Sequence, residues 1–224
     1  MSTVPDPMRA ARSFRPRRRG LSRQRAVEFE RASTTFMLPA GGGPIDLAAV
    51  FPGYPDVVLD VGFGAGEGLV AMASAQHDVA LIGVEVHTPG VARVVADAEA
   101  AGWDHVRVIA TDVLEVLPRL QPGALAGIRV WFPDPWPKQR QRHRRLLRHD
   151  VVAALVDRLR PGGWLHVATD VADYAQQVER VAAADSRLGG GRIERPDWRP
   201  VTRFEDRGRR EGREAVDLWF TRLR

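Results

Sequence analysis

From about residue 55, five short apolar runs alternate with stretches of helical character, and each run carries an acidic residue at or near its end. "DVVLDVG" contains Asp60 and leads into the helix-like "EGLVAMASAQ". "VALIGVE" ends at Glu85 and leads into "TPGVARVVADAEAAG", with proline near its start and glycine at its end, as helix boundaries favour. "VRVIATD" ends at Asp112, "GIRVWFPDP" reaches Asp134 and "WLHVATD" ends at Asp170. Between the last two, "RRLLRHDVVAALVDRLRPGG" predicts a helix stopped by Pro-Gly-Gly, with Leu147, Val151, Ala154, Leu155 and Leu159 on one apolar face. Strands alternating with helices confine the chain to an α/β fold, a parallel sheet covered on both faces. Such sheets bind ligands beyond the carboxyl ends of their strands. All five acids fall at that edge. Aspartate often caps helices and opens turns, which accounts for Asp112 or Asp170 singly but not for five acids in five positions.

The first strand runs into "LDVGFGAGEG", where Gly62, Gly64 and Gly66 allow a tight turn and close approach of backbone to ligand. A glycine turn followed about 20 residues later by an acid suits two cofactor classes. A dinucleotide site wants GxGxxG, but the sixth position from Gly62 is Glu67, an awkward neighbour for a pyrophosphate. The looser match "GEGLVA" at 66–71 begins several residues past the strand. S-adenosylmethionine carries no phosphate, only an ammonium and a sulfonium, so acids around its turn help. Asp60 fits that chemistry, with Glu85 accepting the ribose hydroxyls and Asp112 beside the adenine.

The stretch "WFPDPWPKQRQRHRR", residues 131–145, encloses Asp134 between two prolines and three aromatic rings and then runs into cations. It reads as a pocket wall joined to a polyanion clamp. The net charge of +5 conceals three basic segments. Residues 1–25 hold eight arginines and one acid, residues 138–148 hold six cations and no acid, and residues 199–213 hold six arginines and three acids. The remainder is therefore acidic. Lys138 is the only lysine, so codon bias explains the choice of arginine but not its clustering. A basic rim on an acidic body points to a nucleic acid, whose phosphates release counterions to such clusters.

With no cysteine, disulfides and cysteine-based metal sites are excluded, and the six histidines form no HxH or HExxH pattern, so no metal site is expected. No apolar run approaches a membrane span of roughly 18–20 residues. The arginine-rich start imitates a transit peptide, but no secretory apolar region follows. The expectation is a cytoplasmic protein with a flexible basic arm over 1–25 and a single domain over 26–224.

These segments resemble the bacterial tRNA (guanine-N7)-methyltransferases, a class I S-adenosylmethionine-dependent family. The likeness is carried by "LDVGFGAGEGL", "GVEVHTPGV", "VWFPDPWPKQRQRHRRLL", "TDVADYA" and "RPVTRFEDRG", in the family's order, with "SFRPRRRGLS" similar to its basic N-terminal stretch. It implies a doubly wound, mostly parallel seven-stranded Rossmann-like sheet with an antiparallel last strand. By position it makes Asp60, Glu85, Asp112 and Asp134 donor contacts and Asp134 the active-site aspartate. It makes Lys138, Asp170, Thr202, Arg203, Phe204 and Glu205 substrate contacts. The implied substrate is the guanosine at position 46 in the variable loop of tRNA, and the protein a monomer or homodimer without an obligate protein partner. The chain departs from the family pattern at Asp60, often Glu, at Arg213, usually His, and at Val216, usually aromatic.

Guanine N7 carries an in-plane lone pair, so its methylation needs alignment rather than a base. A carboxylate such as Asp134 would stabilise the cation developing on the ring and accept its N1–H and N2–H₂. Trp131, Phe132 or Trp136 offers a stacking surface, Trp131 being better placed for the core. Arg140, Arg142, Arg144 and Arg145 are expected to meet RNA phosphates at the entry of the following helix. Positive charge there opposes the helix dipole by roughly 0.3–1 kcal/mol per residue, unless phosphates arrive. Other readings are a methyltransferase for messenger-RNA caps or a small basic metabolite, an NAD-linked oxidoreductase, and a non-catalytic RNA-binding subunit.

Overall fold

A computed structural model describes residues 23–224, so most of the expected basic arm lies outside the described residues and its last three positions open a helix. That helix, α1 (Arg23–Phe36), is followed by the single turn α2 (Leu47–Val50). Strand β1 (Val57–Val61), helix α3 (Glu67–Ala75), β2 (Ala80–Val84), α4 (Thr88–Ala101) and β3 (Val106–Ile109) then alternate as the sequence predicts. The short α5 (Val113–Val116) leads to β4 (Leu125–Trp131), and α6 (His149–Arg158) to β5 (Leu159–Thr169). The chain ends with α7 (Ala172–Ala183), β6 (Leu188–Ile193), α8 (Arg203–Arg210) and β7 (Val216–Arg222).

The seven strands form one sheet in the order β3-β2-β1-β4-β5-β7-β6. Pairs from β3 to β5 are parallel, and β7 lies antiparallel between β5 and β6. The direction of winding reverses between β1 and β4, which opens a crevice at their carboxyl ends. Alternate strand residues feed two cores. Leu59, Ile82, Ile128 and Leu165 pack against α6 and α7 on one face. Val58, Leu81, Val106 and Val108 pack against α1, α3 and α4 on the other.

The helix expected from "RRLLRHDVVAALVDRLRPGG" is shorter than its pattern. A 3₁₀ turn covers Gln139–Arg144, the chain then extends, and α6 occupies only His149–Arg158. Arg145 interrupts it, because its buried guanidinium is drawn into the core. Leu159, expected on the helix face, opens β5, and the pairing register slips where Pro161-Gly162-Gly163 enters the strand. Strand β6, "LGGGRI", carries no strand pattern. At Gly190 (φ 129) a Cβ would lie 2.1 Å from the Trp219 carbonyl oxygen, so the backbones approach too closely for any side chain.

Candidate active site

A cavity of about 440 Å³ opens at the reversal point, within the size range of small-molecule sites. Asp60, Gly62, Gly64, Glu85, Asp112 and Asp134 line it, as do Thr202, Arg203 and Phe204. Five strand-end acids were expected here, and the four from β1 to β4 arrive. Asp170 does not line the cavity. Its Oδ2 accepts from Arg213 Nε at 2.7 Å, and α8 seats so closely that a Cβ at Gly208 would lie 2.5 Å from it.

Asp60 sits at the end of β1 opposite Arg129 of β4, and is 3% exposed. Its Oδ2 has no hydrogen-bond partner among the described residues. Burial pushes its carboxyl up to about 6, Arg129 pulls it back, and Glu85 raises it further. A buried carboxylate oxygen with no partner beside a cavity is a place for a ligand cation.

Glu85 builds the glycine turn. Its Oε2 accepts from the Gly64 N–H at 2.6 Å, and its Oε1 from Val86 and His87 at 2.6 and 2.7 Å. A carboxylate offers about four acceptor positions, so about one remains for a ligand hydroxyl. Gly64 (φ 59) is covered by Phe204, whose ring lies 3.3 Å from where a Cβ would stand. Gly66 (φ 86) caps α3 without lining the cavity. Asp112 caps α5 through Leu114 N–H at 3.1 Å while still facing the cavity.

Asp134 projects from a loop whose flanks are both left-handed, Phe132 at φ 52 and Trp136 at φ 40. Such conformations cost about 1–3 kcal/mol each and persist only where surroundings impose them. Here the Phe132 N–H donates to Ala168 O at 2.7 Å, and Arg145 Nε donates to Pro135 O at 2.8 Å. The loop is therefore pinned on both sides of the aspartate.

Several sequence expectations change. Arg145 is 1% exposed, bonded to Gln177 and Asp173 and packed on Tyr174, so it is a strut of the fold and not a phosphate contact. Arg142 pairs with Asp173 at 2.7 Å, and the Arg144 guanidinium lies 4.0 Å from the Trp136 ring centre. Trp136 is buried outside the cavity wall, which removes it as a base-stacking surface; Phe132 and Trp131 line the wall. Lys138 and Arg140, four and six residues after Asp134, are exposed and do not line the cavity. Glu205, expected to touch substrate, is 1% exposed, and its carboxylate is taken by Arg195, Arg199 and Arg209. Thr202 caps α8 by accepting the Glu205 N–H at 3.3 Å, and Arg203 pairs with Glu67. Arg199, His166 and Asp217 lie behind the cavity-wall residues Trp131 and Phe132, and no sequence signal marks them, because isolated polar residues in apolar or arginine-rich stretches have no spacing pattern.

Residues 55–218 match a protein family described as "Putative methyltransferase". The chain is 45% identical over 191 residues to the tRNA (guanine-N(7)-)-methyltransferase of Thiobacillus denitrificans, covering 84% of each. It is 40% identical over 220 residues to the protein of the same name from Nitrosospira multiformis, covering 96% of this chain and 95% of that one. Its fold is similar to that of the 16S rRNA methyltransferase KamB, with a TM-score of 0.55 at 17% identity, covering 82% of this chain and 96% of that one. An rRNA methylase from Streptococcus thermophilus gives a TM-score of 0.54 at 14% identity, covering 80% and 92%. Matched along nearly its whole length at this identity, the chain belongs to the tRNA (guanine-N(7)-)-methyltransferase family.

Proposed function

We infer that the chain transfers the methyl group of S-adenosylmethionine to N7 of a guanosine in tRNA, and that this guanosine is position 46 of the variable loop. The observation that carries the reading is one cavity at the sheet's reversal point shared by Asp60, Glu85 and the doubly pinned Asp134. Asp60 is buried with one oxygen that has no hydrogen-bond partner among the described residues, which suits the donor's ammonium. The acceptor position left on Glu85 suits a ribose hydroxyl. Glu67 opens α3 and is engaged by Arg203, so the helix end where a dinucleotide pyrophosphate would dock already holds an acid. The bound donor supplies an electrophilic methyl on a sulfonium.

The protein's task is then positional. Guanine N7 has no proton to lose, so Asp134 acts without proton abstraction. It holds the guanine by its N1–H and N2–H₂ edge and offsets positive charge arriving on the ring. Phe132 and Phe204 supply apolar walls at the cavity rim. Thr202 and Arg203 bring the backbone of α8 to the same rim, as substrate contacts. Lys138 and Arg140, exposed and close in sequence to Asp134, are the cations we assign to tRNA phosphates, with Arg142 and Arg144 joining by exchanging their internal partners. A cytoplasmic location follows from the substrate. Among the described residues, no helix is long and apolar enough to cross a membrane.

The test is incubation of unmodified tRNA with labelled donor and nucleoside analysis. Label in 7-methylguanosine is expected, and it should vanish when guanosine 46 is replaced by adenosine. Label in another nucleoside would overturn the reading.

A further inference from the structure

Arg199 lies in the segment joining β6 to α8 and is wholly buried. On one side its NH1 donates to Glu205 Oε2 at 2.6 Å and its NH2 to Glu205 Oε1 at 3.2 Å, which ties it to α8. On another its NH2 donates to Asp217 Oδ2 at 3.0 Å, and Nε lies 2.7 Å from Oδ1, which ties it to β7. On the third the guanidinium lies 5.6 Å from the Phe132 ring centre, two residues from Asp134. One cation thus touches the loop bearing the active-site aspartate, the helix whose start walls the cavity, and the sheet.

The sheet side of this contact is fixed further down. Asp217 Oδ1 faces His166 Nε2 at 2.8 Å, and the Trp131 Nε1–H reaches His166 Nδ1 at 3.1 Å. Indole nitrogen only donates, so Nδ1 must accept and the imidazole proton sits on Nε2, facing Asp217. Burial pushes the His166 pKa down, which keeps this neutral tautomer. Hydrogen bonds therefore converge on Asp217, from the cavity-wall Trp131 through His166 on one side and from Arg199, which also donates to Glu205, on the other. Asp217 also pairs with Ala168, whose carbonyl holds the Phe132 N–H. A planar guanidinium can bridge two carboxylates and stack on a ring at once, which an ammonium cannot.

We propose that Arg199 is a positioning residue for methyl transfer, coupling the Phe132–Asp134 loop to the start of α8 so that guanine and donor meet in line. The proposal rests on the methyl-transfer reading of the site. Its test is single-turnover methylation of tRNA by wild type, Arg199→Lys and Glu205→Gln, with donor and tRNA dissociation constants and thermal unfolding measured alongside. Displacements near 1 Å cost about 10²-fold in rate, so Arg199→Lys should be slower by about that factor, with both dissociation constants within about fivefold of wild type. Glu205→Gln, which leaves the Asp217 and Phe132 contacts of Arg199 in place while weakening its α8 arm along with the Arg195 and Arg209 pairs, should be slower by about 10-fold and decides the matter if the Arg199 variant does not stay folded at the assay temperature. In an Asp134→Asn background Arg199→Lys should cost less than about threefold more, because both act on the same step. Wild-type rates in the folded variants, or costs that multiply fully with Asp134→Asn, would overturn the proposal. If wild type itself forms no 7-methylguanosine, it is the methyl-transfer reading that fails.

Discussion

Asp60 is pulled in two directions, by burial that favours its neutral form and by Arg129 across the strand pair that favours its charge. The balance leaves its carboxyl at about 6, above its ordinary value of 3.8. The fold without donor therefore binds that proton more tightly than the unfolded chain does. Stability contributed by the protonated group is complete below the ordinary carboxylate range and is lost as pH rises through about 6. Above that, the charged group costs the empty protein about 3 kcal/mol, and a bound ammonium recovers it. Asp60→Asn should accordingly raise the melting temperature of the donor-free protein at pH 7.5 by more than at pH 5, while weakening donor binding by about 10–100-fold. Thermal scans of both proteins at the two pH values, with and without donor, check this. An equal shift at both pH values would mean that Asp60 is not the buried charge described here.

At the level of elements, the arginine-rich stretch after Asp134 divides into residues that face out and one that faces in. Arg145 is bonded to the Pro135 carbonyl and to Asp173, so Arg145→Ala leaves a buried polar gap beneath the loop that carries Asp134. We expect it to lower stability by about 3 kcal/mol, whereas Arg144→Ala, which removes a partly exposed cation from the Trp136 ring, should cost less than about 1 kcal/mol. Denaturant titration distinguishes them; equal effects would place Arg145 at the surface. This division explains what sequence could and could not reveal. The alternation of β1 to β5 with helices, the glycine turn and four acids at one sheet edge were legible, because apolar periodicity and strand-end position are local properties. The inward turn of Arg145 was not, since charge normally signals exposure and only tertiary partners reverse it. The burial of Glu205 is hidden for the same reason: Arg209 lies one helical turn away, but Arg195 and Arg199 reach it only through the fold of the segment that precedes α8. Strand β6 is invisible in the sequence because three glycines interrupt any strand pattern, and the one at Gly190 answers to the Trp219 backbone rather than to strand propensity.

Over the whole molecule, the cations left exposed near the cavity mouth sit on an otherwise acidic body, an arrangement that draws a polyanion to one side of the sheet. If Lys138 and Arg140 each neutralise a phosphate, replacing both by alanine should flatten the log–log salt dependence of tRNA affinity by about 2 units, with donor affinity unchanged. An unaltered slope would make them ordinary solvated charges. The fold, the charged rim and the pinned loop converge on one claim, that Asp134 serves methyl transfer as a fixed charge facing guanine. The measurement closest to it is the single-turnover rate of 7-methylguanosine formation by Asp134→Asn at saturating donor and tRNA. The amide keeps the size of the carboxylate and its turn-forming ability, but removes the charge and turns a donor toward the N1–H edge. The rate should fall by about 10²–10⁴ with tRNA affinity changed far less. A variant as fast as wild type would reduce Asp134 to a turn residue and contradict the account.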